Sequence, residues 1–241
     1  MSSLETMKII FVHHYGGDKD SFGRIYEFLE SLGHEVVRFT LPVSRFQELR
    51  QLPLGEAGGI GLRHLWADAI TDVLKRNPGP KLVMSMSYPS VAALGAINRH
   101  PRDVLGWICE GGPFTQVTRG YRNYVACFKS VGFATFLEPI AAWLFAVLVG
   151  NIHYDRDARD ELDKLPDGFP ILSLRDGADE LVQEDMIDAF FALGAKKLDL
   201  KTTRLPDAGH LEGFKKAPGI YATALSDFLR DCHARRSGRH Q

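Results

Sequence analysis

A serine between an apolar run and a helix-forming segment is the first residue whose surroundings indicate chemistry. Ser87 follows the run Leu82 to Met84, which is typical of a buried parallel strand, and precedes the small, helix-favouring residues Ser90 to Ile97. A sharp strand-to-helix turn presents a serine hydroxyl above the end of a sheet, where it can act as a nucleophile. The usual pattern has glycines two residues before and after the serine, where this chain has Ser85 and Pro89. A strand followed by a serine that caps the next helix fits the same residues.

A serine hydroxyl needs a base to take its proton, and the base needs a carboxylate to hold it. His210 follows the last predicted strand in a loop of small residues, so it is the candidate base. Asp179 is the candidate carboxylate, because the apolar pair after it can hold its loop against the core. Asp176 and Glu110, each at the end of a predicted strand, remain alternatives. The chain order of serine, aspartate and histidine is the order expected when such a site is built on a parallel sheet.

The turn after the first predicted strand, His13 to Gly17, is a candidate for binding a developing negative charge. Acyl transfer needs backbone amides aimed at the oxyanion. We expect these amides to come from Tyr15 in this turn and from Tyr88, directly after the serine. His14 is expected to line the substrate pocket. An ordinary glycine turn is the alternative interpretation of the same residues.

Alternating strand and helix patterns predict an α/β fold with a mostly parallel central sheet and helices on both faces. The whole chain, 1–241, is predicted to form one domain, which its length permits. The predicted strands are 8–13, 35–40, 82–84, 103–109, 170–174 and 198–205. The predicted helices are 21–32, 65–75, 90–97, 184–193 and 218–233.

Residues 114–154 interrupt this alternation with an aromatic, helical pattern, and we interpret them as an inserted cap. Three aromatic residues in the cap are expected to line a substrate pocket: Phe133, Phe136 and Trp143. The apolar stretch 131–150 contains Glu138 and Pro139, which makes a membrane span unfavourable. If this stretch has an exposed apolar face, we expect it to make peripheral contact with a membrane or to form a homodimer through 131–150.

Composition narrows the possible partners and compartment. The formal net charge is -1, so nothing in the sequence points to a nucleic-acid partner. The three cysteines are widely spaced and odd in number, which suggests neither a disulfide framework nor a zinc site. Together with a polar start that has no signal-peptide core, this predicts a cytoplasmic protein. No metal or cofactor is implied.

Taken together, His13 to Gly17, Ser85 to Pro89, Asp179 and His210 resemble the α/β-hydrolase fold over nearly the whole chain. The carboxyl-terminal third is also similar to the transmembrane-protein-53-like family, a group of uncharacterised, membrane-associated proteins in the same clan. That similarity rests on 172–182, on the Ala-Gly-His turn that ends at His210, and on the helix start at 218–221.

The sequence therefore predicts a serine hydrolase that acts on a small-molecule carboxylic ester, thioester or related acyl group. The predicted catalytic residues are Ser87, Asp179 and His210. Two alternatives stay open at this point. One is a non-catalytic binding or scaffold protein on the same fold, and the other is a lyase or isomerase chemistry on that scaffold.

Overall fold

A six-stranded parallel β-sheet organises the protein in the strand order β2-β1-β3-β4-β5-β6. The computed structural model describes residues 6–43, 62–100, 103–128, 143, 154–194 and 198–238. The strands are β1 (Lys8–Val12), β2 (Glu35–Arg38), β3 (Lys81–Met86), β4 (Val104–Glu110), β5 (Pro170–Asp176) and β6 (Asp199–Leu205). The helices are α1 (Gly23–Ser31), α2 (Leu62–Arg76), α3 (Ser90–Arg99), α4 (Val117–Phe128), α5 (Tyr154–Lys164), α6 (Glu184–Phe191), α7 (Gly213–Lys216) and α8 (Pro218–Gly238).

The central strands are covered on both faces, which explains their nearly continuous apolar sequences. Every residue of β3 and β5 is buried, whereas β2 and β6 at the two edges are partly exposed. Ile10 and Val12 of β1 belong to a buried cluster on one face that also contains residues of α2, α3, α5 and α6. Ile9 and Phe11 of the same strand belong to the buried cluster on the other face, together with residues of α1 and α8. This alternation is the two-residue period of a strand between two helical layers.

All six strands run in the same direction, so their carboxyl ends meet at one edge of the sheet. Ligands of such sheets bind outside this edge. Within the sheet, Ser85 lies opposite Val12 of β1 and Cys109 of β4, in the middle of the strand order. The turn that follows β3 is therefore flanked by the turns that follow β1 and β4.

The predicted mostly parallel sheet is confirmed, and most predicted boundaries lie within a few residues of those in the structure. Two helices were not predicted, α5 and α7. The predicted cap at 114–154 contains α4, but 129–142 and 144–153 lie outside the described residues, so the cap stays a prediction. In the part of the chain that the structure describes, no helix is long and apolar enough to cross a membrane.

Candidate active site

Ser87 lies on a strained turn directly after β3. Its φ is 57°, in the left-handed region that non-glycine residues seldom adopt, and such strain often marks a functional site. Two hydrogen bonds hold the turn. The Ser87 amide donates to the Glu110 carbonyl over 2.7 Å, and the Ser87 carbonyl accepts the Ser90 amide over 3.0 Å. A Cβ atom on Gly112 would lie 2.5 Å from the Ser87 carbonyl oxygen, so the neighbouring turn approaches closely only because this residue is glycine.

Ser85, at a position where the usual pattern has glycine, is fully buried and hydrogen-bonded on two sides. Its hydroxyl oxygen accepts the Trp107 indole N–H over 2.8 Å, and the hydroxyl lies 3.0 Å from the Ser90 hydroxyl. Pro89 immediately precedes α3 with a φ of -56°, which suits proline at a helix start. Both departures from the glycine pattern are therefore accommodated by the local packing.

The structure brings Ser87, His210 and Asp179 together in one hydrogen-bonded chain. The Ser87 Oγ lies 2.9 Å from His210 Nε2, and His210 Nδ1 lies 2.6 Å from Asp179 Oδ2. A carboxylate can only accept, so Nδ1 carries the proton and Nε2 is free to accept from the serine hydroxyl. The other Asp179 oxygen accepts the backbone amides of Leu181 and Val182, each over 2.8 Å. These two bonds fix the Asp179 carboxylate, whose side chain is 1% exposed.

The two alternative carboxylates, Glu110 and Asp176, are also buried but do not bind the His210 ring. Glu110 accepts the Tyr221 hydroxyl over 2.6 Å and the Gly213 amide over 3.2 Å. Asp176 accepts the Leu211 amide over 2.8 Å. Both carboxylates thus contact the backbone beyond His210 instead of its imidazole.

The His13 side chain holds the peptide group between His14 and Tyr15 in one orientation. The Leu41 amide donates to His13 Nε2 over 2.9 Å, so the His13 proton lies on Nδ1, which is 2.7 Å from the His14 carbonyl oxygen. Burial lowers the pKa of His13, in keeping with a neutral ring. In a planar trans peptide the carbonyl and the next amide point in opposite directions, so the Tyr15 N–H is oriented by the same contact.

The His14 ring lies near the candidate base. It packs edge-on against Phe22 with a centroid separation of 5.4 Å, and its Nδ1 is buried. Burial, together with the nearby His13 and His210, lowers the pKa of His14 to about 4. His14 is therefore a neutral imidazole at pH 7, placed on the α1 side of the site.

A run of aromatic rings lies on the opposite side, where α2 and α3 cover the sheet. Tyr15 packs against Trp66 at 5.7 Å, Trp66 against Tyr88 at 6.1 Å, and Tyr88 against Phe114 at 5.4 Å between ring centroids. Trp66 and Phe114 are site neighbours that the sequence did not predict. Their apolar type is common to all core positions, so no local signal distinguished them.

Three predicted pocket residues belong to the cap. Phe133 and Phe136 lie outside the described residues, and Trp143 is 58% exposed. Among the described residues, no group of three or more His, Cys, Asp or Glu side chains could hold a metal ion.

Several solved structures share this architecture, and three of them are described as esterases or hydrolases. An esterase from Thermogutta terrifontis, solved with malate bound, aligns with a TM-score of 0.62 at 17% identity and covers 94% of this chain and 90% of that one. The Pyrococcus furiosus esterase Pf2001 gives a TM-score of 0.63 at 15% identity, over 93% of this chain and 83% of that one. A pyrethroid hydrolase from Sphingobium faniae JZ-2 gives 0.60 at 14%, over 94% and 98%.

The chain therefore has the α/β-hydrolase fold, and that prediction is confirmed. No protein-family model matches the sequence, and no curated protein matches it. At these sequence identities the likeness establishes the fold alone.

Proposed function

We propose that the protein is a serine hydrolase that cleaves a carboxylic ester, thioester or related acyl bond through a covalent acyl-enzyme. The observation that carries this proposal is the continuous chain from Ser87 through His210 to Asp179, with contacts of 2.9 Å and 2.6 Å. A serine whose hydroxyl faces a correctly oriented imidazole is an activated nucleophile.

In the first half-reaction, the Ser87 Oγ attacks the acyl carbonyl carbon and its proton passes to His210 Nε2. The carbonyl oxygen becomes an oxyanion, which the Tyr15 and Tyr88 amides stabilise. The tetrahedral adduct then collapses: the bond to the leaving group breaks, and the leaving group takes the proton from His210. Asp179 stabilises the imidazolium without taking its proton. The product that remains is an acyl ester on Ser87.

In the second half-reaction, water attacks the acyl ester and gives a proton to His210. The resulting adduct expels the Ser87 oxygen, which recovers its proton from the same imidazole. The products are a carboxylic acid and the free enzyme. Since His210 acts first as base and then as acid in both halves, only this ring has to move protons.

The residues on the two sides of Ser87 differ: one side is aromatic and the other carries His14. This difference supports placing the acyl group of the substrate on one side and its leaving group on the other. The aromatic run of Tyr15, Trp66, Tyr88 and Phe114 suits an apolar acyl group. His14 lies near His210, so it belongs with the leaving group, which His210 protonates. Phe133, Phe136 and Trp143 remain proposed parts of the acyl pocket.

Three further assignments belong to the proposal. The similarity to the transmembrane-protein-53-like branch rests on sequence motifs alone. A cytoplasmic location is supported by the three free cysteines, Cys109, Cys127 and Cys232. Peripheral membrane contact or a homodimer through 131–150 is supported by the apolar sequence of that segment.

A fluorophosphonate probe tests the proposal, because it labels only an activated serine. We expect stoichiometric labelling at Ser87 in the native protein and none in Ser87→Ala or His210→Ala. Circular dichroism must show that both variants are folded. If the folded native protein is neither labelled nor able to hydrolyse a short p-nitrophenyl ester, the enzyme hypothesis is wrong and the binding-protein alternative replaces it.

A further inference from the structure

Glu110 and Asp176 form a buried pair of carboxyl groups behind the candidate base. They end the adjacent strands β4 and β5 and are 1% and 3% exposed. A Cβ atom placed on Gly213 would lie 2.9 Å from Asp176 Oδ1 and 2.9 Å from Glu110 Oε1. The two oxygens therefore border the same small space beside Gly213, which the Leu205 side chain also borders.

Hydrogen-bond donors reach three of the four carboxyl oxygens in the pair. Glu110 Oε1 accepts the Gly213 amide and Oε2 accepts the Tyr221 hydroxyl. Asp176 Oδ2 accepts the Leu211 amide, while Asp176 Oδ1 is buried with no partner among the described residues. Ionising both of two buried carboxyl groups that border one space is costly, because neither charge is solvated and the two repel each other. The oxygen without a donor, Asp176 Oδ1, is the natural position for a proton.

We propose that Glu110 and Asp176 hold one proton between them, and that this singly charged pair positions His210 by binding the backbone on its carboxyl side. The amides it binds, those of Leu211 and Gly213, lie one and three residues after His210. Leu211 has a φ of 59°, so the loop turns sharply here and needs external support. Glu110 and Asp176 are positioning residues, because they act through the loop and touch no substrate.

The charged and titratable groups around the pair favour this protonation state. Asp179 and Glu212 add negative charge near Asp176, and Asp179 does so near Glu110, while His210 is the nearby group that becomes positive. Burial and then Glu110 raise the pKa of Asp176 to about 9. Burial raises the pKa of Glu110 to about 7, against the lowering effect of the Tyr221 hydrogen bond. Loss of the shared proton at alkaline pH places a second negative charge in the pair, which we expect to release the loop.

The labelling readout of this inference rests on the proposed function, whereas the unfolding readout does not. The rate of fluorophosphonate labelling is measured from pH 6 to pH 10 for the native protein, for Asp176→Asn and for Asp176→Ala. Asparagine imitates the protonated carboxyl and keeps the acceptor for the Leu211 amide; alanine removes it. Asp207→Asn, at an exposed position in the same loop, is the matched control. Urea unfolding over the same pH range is the readout that needs no catalysis.

We expect the native labelling rate to fall by about tenfold per pH unit above the apparent pKa of the pair. Asp176→Asn should lose this alkaline fall and stay within about threefold of the native rate at pH 7. Asp176→Ala should be slower at every pH, and Asp207→Asn should match the native profile. An alkaline fall unchanged in Asp176→Asn would overturn the proposal, as would a folded Asp176→Asn that is inactive at every pH.

Failure of the proposed function gives a different result. If no variant is labelled at any pH, Ser87 is not an activated nucleophile, but unfolding still tests the shared proton. The native urea midpoint should then fall as the pH rises from 6 to 10, whereas that of Asp176→Asn should change less. Equal changes in the two proteins would refute the shared proton independently of any activity.

Discussion

A single methyl group added at Gly112 should impair the candidate nucleophile by displacing its backbone, although no side chain of the candidate active site is changed. In Gly112→Ala the new Cβ would lie 2.5 Å from the Ser87 carbonyl oxygen and 2.9 Å from its carbon. Contacts below 3.0 Å are essentially never seen for real Cβ atoms, so the two backbones must separate by about half an ångström or more. The Ser87 carbonyl cannot withdraw freely, because it accepts the Ser90 amide at the start of α3.

The size of the effect follows from how accurately a nucleophile must be placed. A misplacement of about 1 Å can cost about 100-fold in rate, so half an ångström or more should slow fluorophosphonate labelling by about 10- to 100-fold. Overpacking typically costs about 1–3 kcal/mol of stability, which a thermal melt would detect as a lower Tm. The assay is the second-order labelling rate of Gly112→Ala at pH 7, with the melt measured on the same sample.

Gly95→Ala is the matched control, since Gly95 lies in α3, the helix that follows the same turn. Its new Cβ would meet Ala67 at 3.6 Å, an ordinary contact, and alanine is favoured over glycine inside a helix. This variant should label at the native rate with an unchanged or higher Tm. If Gly112→Ala also labels at the native rate and melts like the native protein, the close approach of the two turns does not position Ser87, and the reasoning is refuted.

Three further results are expected. Ser85→Gly, which restores the usual pattern, should lower the free energy of unfolding in urea by about 1–3 kcal/mol because Trp107 and Ser90 lose a buried partner; a more stable variant would contradict this. Asp179→Asn should fold normally but label about 100- to 10,000-fold more slowly, and near-native labelling would remove Asp179 from the site. His14→Ala should raise KM by about three- to tenfold for esters whose leaving group accepts a hydrogen bond, since one such bond contributes about 0.5–1.5 kcal/mol; esters without an acceptor are the comparison, and equal effects on both would exclude a leaving-group contact.

Alternation of apolar runs with helical spacing was sufficient to predict the sheet, because each signal is local. The run Leu82 to Met84 and the segment after it contain both the strand and the helix that hold Ser87. The positions of Asp179 and His210 could be predicted from their place after strands, since parallel strands bring their carboxyl ends together.

Contacts between residues that are far apart in the chain could not be predicted in this way. The Tyr221 hydroxyl binds Glu110 from 111 residues away, and nothing near either residue indicates the other. Glu110 and Asp176 are predicted alternatives to Asp179, because chain position alone cannot distinguish a carboxylate that faces an imidazole from one that binds the backbone beside it. The role of Ser85 was hidden for the same reason: its partner Trp107 lies on another strand.

The position of β6 at the edge of the sheet affects how the protein would lose activity. The imidazole is carried on the loop after β6, and among the described strands β6 pairs only with β5. The serine, in contrast, follows a strand at the centre of the sheet. Exposed ion pairs from Asp199 and Lys201 to α8 help to hold β6, and such pairs weaken in salt. Edge elements open at a lower free energy than the whole fold. We therefore expect a compact but inert population, with the rim strand detached, to accumulate under mild stress before the chain as a whole unfolds.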